Sequence, residues 1–174
     1  MKRLFAFILI IALCLCLAGC KNDGAPAGMK LASDTSLVSY SLYVPEDWVI
    51  DNSDTTTRAH VSSVDTSSVS VGKYLMAGEI TSVDSWWNSY KLAHLAVEGF
   101  EVVEEGASEM VDGKGAKSYT YKTTILEIPY KHYATAVEHD GSVYVILYTA
   151  VEGALYDTTI GVVKNDILAN MKFN

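Results

Sequence analysis

Cysteine is nearly missing from this chain: of 174 residues only Cys14, Cys16 and Cys20 carry a thiol, all at the N-terminal end. No disulfide can form beyond residue 20, so whatever folds there is held by its core alone. Proline is scarce, occurring at Pro26, Pro45 and Pro129, which excludes a collagen-like chain. Positive charge is also in short supply, with 13 Lys and Arg against 21 Asp and Glu for a formal net charge of −8. Loss of Lys2 and Arg3 with a cleaved leader would take that to −10. Clusters of Lys and Arg are absent, so nothing offers the counterion release through which phosphate backbones bind, and nucleic acid is excluded as a partner. What remains is 49% hydrophobic and 20% charged. That suits one globular domain with a short appendage rather than a coiled coil or a disordered chain.

The appendage is N-terminal. Met1-Lys2-Arg3 precedes an uninterrupted apolar run from Leu4 to Leu17, shorter than the ~20 residues a spanning helix needs and of signal-peptide form. The run ends in Leu17-Ala18-Gly19-Cys20, where small residues before a thiol suit a peptidase cleft and a lipid acceptor. This quartet resembles the lipobox of bacterial lipoproteins. The resemblance implies residues 1–19 as a lipoprotein signal peptide and Cys20 as the mature N-terminus. Cys20 would then bear a diacylglyceryl group whose two acyl chains, palmitate or similar, hold an exported protein on the cell membrane. Residues 20–35 read as the lipidated cysteine and a flexible linker, KNDGAPAGMKLASDT after the cysteine being rich in small and polar residues without an aromatic. The domain is then expected over 36–174.

Within the domain, Leu37–Val44, Arg58–Val64 and Val69–Leu75 have strand composition, with the polar stretch 51–57 between the first two read as a mobile loop. A helix is predicted from Thr81-Ser82 to Gly99, its buried stripe formed by Val83, Trp86, Trp87, Tyr90, Ala93, His94 and Val97. Leu92 and Leu95 fall on the other side. Further strands are expected at Phe100–Glu105, Ala107–Val111, Ala116–Lys122, Ile128–Glu138 and Ser142–Ala150. Asp140-Gly141 suits a tight hairpin between the last two, because both residues tolerate positive φ. In Val143–Tyr148 both alternating sets are apolar, which predicts a central strand covered on both faces. A closing helix over 155–170 carries Tyr156, Ile160, Val163, Ile167 and Met171 on one stripe. The order β-β-β-α-β…β-α predicts an α+β fold, a mostly antiparallel sheet flanked by helices.

Two stretches carry a family resemblance. Tyr40-Ser41-Leu42-Tyr43-Val44-Pro45-Glu46-Asp47-Trp48 looks like the first strand, Val-Pro step and tryptophan of PsbP-like and Mog1-like domains. Gly141 to Ala150, followed by Tyr156 and Phe173, is similar to their last strand and helix. The resemblance implies an α/β/α sandwich and a binding or assembly role more often than an enzymatic one. Trp48 itself reads as a core plug behind the first strand.

Signs of catalysis are sparse. No serine sits in a Gly-x-Ser-x-Gly turn, and His60, His94, His132 and His139 have no nucleophile at a recognisable spacing. Neither His-Glu-x-x-His nor paired cysteines appear, so no metal and no cofactor are expected. The acidic groups Glu101, Glu104, Glu105, Glu109 and Asp51, Asp54 lack the oxygen and glycine pattern of a calcium loop. Gly113-Lys114-Gly115 reads as a hairpin loop rather than a phosphate cradle, because no helix follows it. The reading is a non-catalytic binding or assembly module in the cell envelope, a monomer with a protein partner. The alternative is an envelope hydrolase whose acid and histidine residues converge only in the fold. The candidate partner surface is Lys91, Leu92 and Leu95, where two leucines stand on the polar side of a helix.

Overall fold

The structure, a computed structural model, describes residues 24–52 and 56–174. Leu17, Ala18, Gly19 and Cys20 lie outside the described residues, as does Asp54. Three short strands come first: β1 (Met29–Leu31), β2 (Tyr40–Ser41) and β3 (Tyr43–Pro45). Next are β4 (Val49–Asp51), β5 (Arg58–His60) and β6 (Ser68–Leu75), then helix α1 (Val83–His94). Four long strands follow, β7 (Glu101–Val111), β8 (Lys114–Ile125), β9 (Ile128–His139) and β10 (Ser142–Val151). Helix α2 (Ala154–Val162) continues as a π-helix through Val163–Leu168, and β11 (Lys172–Phe173) ends the chain.

Seven strands form one sheet in the order β4-β5-β6-β10-β9-β8-β7, with every pair antiparallel. Alternation of side chains divides the core in two. Tyr119, Tyr121, Ala134, Ala136, Val143 and Val145 point to one face, where α1 buries Val83, Trp86 and Trp87 against them. Tyr133, Val137, Tyr144, Ile146 and Tyr148 point to the other, beneath Tyr156, Val163, Ile167 and Met171. β10 is therefore covered on both faces, as its two apolar sets require, and the architecture is the expected α+β sandwich. The connection from β6 in mid-sheet to β7 at the far edge explains why α1 lies across β10, β9 and β8: it is the crossover.

Local chemistry sets the ends of these elements. Ser82 caps α1, its Oγ accepting from the Ser85 backbone N–H while Ser85 Oγ accepts from the Ser82 N–H. That reciprocal box satisfies two donors that would otherwise be orphaned. Helix α1 ends at His94, earlier than the expected Gly99, so Val97 leaves the helical stripe and Ala93 is exposed. Asp140 and Gly141 both adopt positive φ (44° and 65°), the type I′ pattern that matches the twist of the β9–β10 strands. Asp112-Gly113 does the same between β7 and β8, at 49° and 69°. Beyond Val162 the apolar stripe recurs strictly every four residues, at Val163, Ile167 and Met171. At 3.6 residues per turn each such step drifts about 40°, and the wider π-turn returns all three to the sheet.

Three differences from the sequence reading matter. The stretch 24–35, read as tether, contains β1, which pairs with β3 (Met29↔Pro45, Leu31↔Tyr43), and buries Met29 and Ala32 to 8% and 2% exposure. Phe100–Glu105 and Ala107–Val111 fall in one strand, Glu101–Val111, interrupted by register shifts between Val102 and Glu104 and between Glu105 and Ala107. Leu37 and Val38 stand in a turn closed on the Asp34 carbonyl, so the strand expected over Leu37–Val44 starts only at Tyr40 and is divided into β2 and β3.

Candidate functional site

The α1 face of the sheet is only partly covered. Between α1 and the β5 side, a groove of about 240 Å³ opens over Gly72, Ala134, Val145 and Leu147. Gly72 and Ala134 leave space over its floor because they carry little or no side chain; its walls are Tyr74, Trp86, Tyr90 and Tyr121. An aromatic ladder shapes those walls. Trp86 lies 5.7 Å from Tyr74 and 5.3 Å from Tyr90 between ring centroids, and Trp87 stacks on Tyr119 at 4.3 Å. Tyr90 and Tyr121 share a hydrogen bond of 2.6 Å between their hydroxyls. Burial pushes both phenols above their ordinary range, so they stay protonated.

Behind Tyr121, stacked on it at 4.5 Å, is His132. Its Nε2 meets Thr123 Oγ1 at 2.8 Å and its Nδ1 meets Thr149 Oγ1 at 3.0 Å. Burial, with a smaller contribution from His94, lowers its pKa to about 4, leaving a neutral ring that serves the packing. The remaining histidines are dispersed. His94 stacks on Tyr90 at 3.8 Å, His60 lies 3.9 Å from Asp51, and His139 packs on Phe173 at 4.4 Å. Among the described residues no group of three or more His, Cys, Asp or Glu side chains converges on a point where a metal could sit.

A second cavity, of about 320 Å³, lies on the opposite face of the sheet at the same strand. Tyr40, Val71, Lys73 and Tyr144 line it. Thr56 and Gly72 line both cavities. The two therefore flank one stretch of β6, and Lys73 Nζ stands 5.4 Å over the Tyr144 ring.

The residues singled out from sequence sit elsewhere. Leu92 and Leu95 are 71% and 69% exposed on the outer side of α1, uncovered by the segment that follows. Lys91 reaches across to Glu105 of β7, an ion pair that holds the Glu105 carboxyl below the usual carboxylate range. Glu101, Glu104 and Glu105 project to solvent along the outer strand β7, while Glu109 accepts a hydrogen bond from Tyr133. The β6 groove escaped the sequence reading, although Gly72 inside an apolar–polar alternation was a signal. A Cβ there would meet the Tyr74 ring at 3.2 Å, and a strand glycine often marks such close approach.

No protein-family model matches the chain, and no curated protein matches it in sequence. Solved structures do. Cyanobacterial PsbP from Synechocystis aligns with a TM-score of 0.61 at 12% identity, covering 90% of this chain and 99% of that one. LpqN of Mycobacterium tuberculosis, involved in cell envelope biogenesis, aligns at 0.55 with 14% identity, over 78% and 83% of the two chains. The Ran-binding protein Mog1p of Saccharomyces cerevisiae aligns at 0.54 with 11% identity, over 76% and 82%. At such identities the likeness concerns architecture, and the architecture is that of PsbP-like and Mog1-like domains, an antiparallel sheet between helices.

Proposed function

We propose that the protein is an exported lipoprotein, anchored to the cell membrane through acyl chains on Cys20, whose single domain is a non-catalytic binding or assembly module. The observation that carries the anchoring is the order of basic start, apolar run and Leu17-Ala18-Gly19-Cys20. No helix among the described residues is long and apolar enough to cross a membrane, so on this reading the lipid does the holding. Two acyl chains suffice for that, at about 0.8 kcal/mol per buried methylene.

The binding role is supported by an open aromatic groove, by exposed Leu92 and Leu95 beside Lys91, and by the company of the fold. Mog1p binds Ran and LpqN takes part in envelope biogenesis. The Mog1p precedent is one of protein binding. Replacing Cys20 by Ala tests the anchor: the protein is expected to leave the membrane fraction and to lose the mass of the lipid. Full membrane retention with an unchanged mature mass would overturn it. Replacing Leu92 and Leu95 together by Ser tests the partner face, and a folded variant that loses a native partner is the expected outcome. If both leucines were structural, the variant would instead lose several kcal/mol of stability.

A further inference from the structure

Two connections meet at one end of the sheet. The Thr124 N–H donates to the Glu98 carbonyl at 2.7 Å, which fixes the turn after α1 against the last residues of β8. Gly99, at φ 66°, permits the close approach, since a Cβ there would collide with Thr124. One residue further on, Ile125 and Ile128 face each other across the β8–β9 pair. They stand an even number of residues from Tyr121 and Ala134, so they point to the face that α1 covers. Leu126 and Glu127 form the turn between them. Ile125, Leu126 and Ile128 are exposed, as are Leu95 and Val97 after α1, so an apolar surface runs from the end of that helix to the tip of the hairpin.

Two features mark it as a contact surface. The first is its cost. Leu126 and Glu127 hold φ values of 50° and 66°, a region that bulky residues avoid, and Leu126 is 89% exposed, so no burial within the domain offsets the strain. The Asp-Gly turns at 112–113 and 140–141 close the other long hairpins without it. An apolar side chain held in water on a strained backbone is an outlier that points to function. The second feature is the rim. Glu98, Glu101 and Glu127 are exposed, and none of them joins an ion pair among the described residues. The nearby cations are engaged elsewhere: Lys122, opposite Glu101 in the ladder, pairs with Glu152, and Lys131 lies over the Tyr156 ring.

We propose that this end of the domain, with Leu126 foremost, docks into an apolar cleft bordered by Lys or Arg on a partner protein. The proposal rests on the binding-module reading and centres its partner surface on the hairpin tip. In such a cleft Leu126 gains the burial it lacks in the free domain, and the three carboxylates meet cations at the rim. Other occupants fit less well. A second copy would set one acidic rim against another, each chain carrying a net charge of −8. A bilayer would have to take in the Glu127 carboxylate between Leu126 and Ile128, and an unpaired charge is costly in an apolar medium.

Photo-crosslinking in the cells that make the protein tests this. Benzoylphenylalanine is placed singly at Leu126, at Leu92 on the outer side of α1, and at Glu79 in the loop after β6, where the Met76 N–H bonds the Gly141 carbonyl at the opposite end of the sheet. The full-length protein labelled at Leu126 should give a protein adduct that the Glu79 position does not give, and the crosslinked peptide should be apolar and flanked by Lys or Arg. That partner, purified, should bind the wild type in detergent, more weakly as salt is added, and at least tenfold more weakly to Glu98→Lys with Glu127→Lys. Leu126→Asn with Glu127→Gly relieves the turn and keeps the fold, yet should also bind at least tenfold more weakly. Equal binding by that variant overturns the proposal, as do an adduct of twice the subunit mass, an adduct to lipid, or none above the Glu79 background. Protein adducts from Leu92 alone would refute the tip and leave the binding-module reading standing.

Discussion

His132 shows how a single buried side chain ties this fold to pH. Its ring is enclosed by Tyr121 and bonded to two threonine hydroxyls, and its pKa falls to about 4 from the ordinary 6.5. Protonation therefore favours the unfolded chain, which takes up the proton first as pH drops. Stability is fully present above pH 6.5 and is lost progressively between 6.5 and about 4, by roughly 3 kcal/mol at most. Urea melts of the wild type and His132→Gln across that range should show the slope in the wild type alone, and parallel pH profiles would refute the assignment. The β9–β10 turn makes a second case. Gly141 has φ 65° and open space where a Cβ would stand, so Gly141→Val should cost only the backbone strain, about 1–2 kcal/mol. A melt unchanged within error would show that the backbone relaxes freely.

Among the elements, the hairpin joining β8 and β9 breaks the rule its neighbours follow. Its turn consists of Leu126 and Glu127, both at positive φ (50° and 66°), where the other two long hairpins use Asp-Gly. Leu126 is 89% exposed, so it gains nothing from burial in return. Leu126→Asn with Glu127→Gly should raise stability by about 1–2 kcal/mol in thermal or urea melts, and a loss would mean the tip is held by contacts its exposure does not suggest. Elements with strong periodicity were legible in the sequence: β10 with both faces apolar, the Asp-Gly turn, Ser82 at the head of α1, the Tyr156-to-Met171 stripe. Those signals are local, so they survive without tertiary context. β1 was not legible, because Met29-Lys30-Leu31 is three residues flanked by glycine, proline and aspartate and becomes a strand only by pairing with Tyr43–Pro45. The groove along β6 was hidden for the same reason. Gly72 and Tyr74 can be read from the chain, but their meeting with Trp86 and Tyr90 is a property of two elements together.

For the whole molecule, the question is where the folded unit begins. Periodicity places the start near Ser36, but the structure ties earlier residues into the core. Met29 and Ala32 are buried, and the Ser33 hydroxyl both donates to the Tyr40 carbonyl and accepts from the Leu42 N–H, each at 3.0 Å. The Ala32 carbonyl accepts from Asn52, and the Gly28 carbonyl from the Glu46 N–H. Cutting the chain at residue 36 would strip the apolar cover supplied by Met29, worth about 2 kcal/mol. It would also leave the buried Leu42 N–H without an acceptor, at a further cost of about 1–3 kcal/mol. A fragment of residues 24–174 should therefore unfold cooperatively in urea, and a fragment of 36–174 should be less stable by about 3–5 kcal/mol. Equal midpoints and equal slopes for the two fragments would show that the segment is tether throughout.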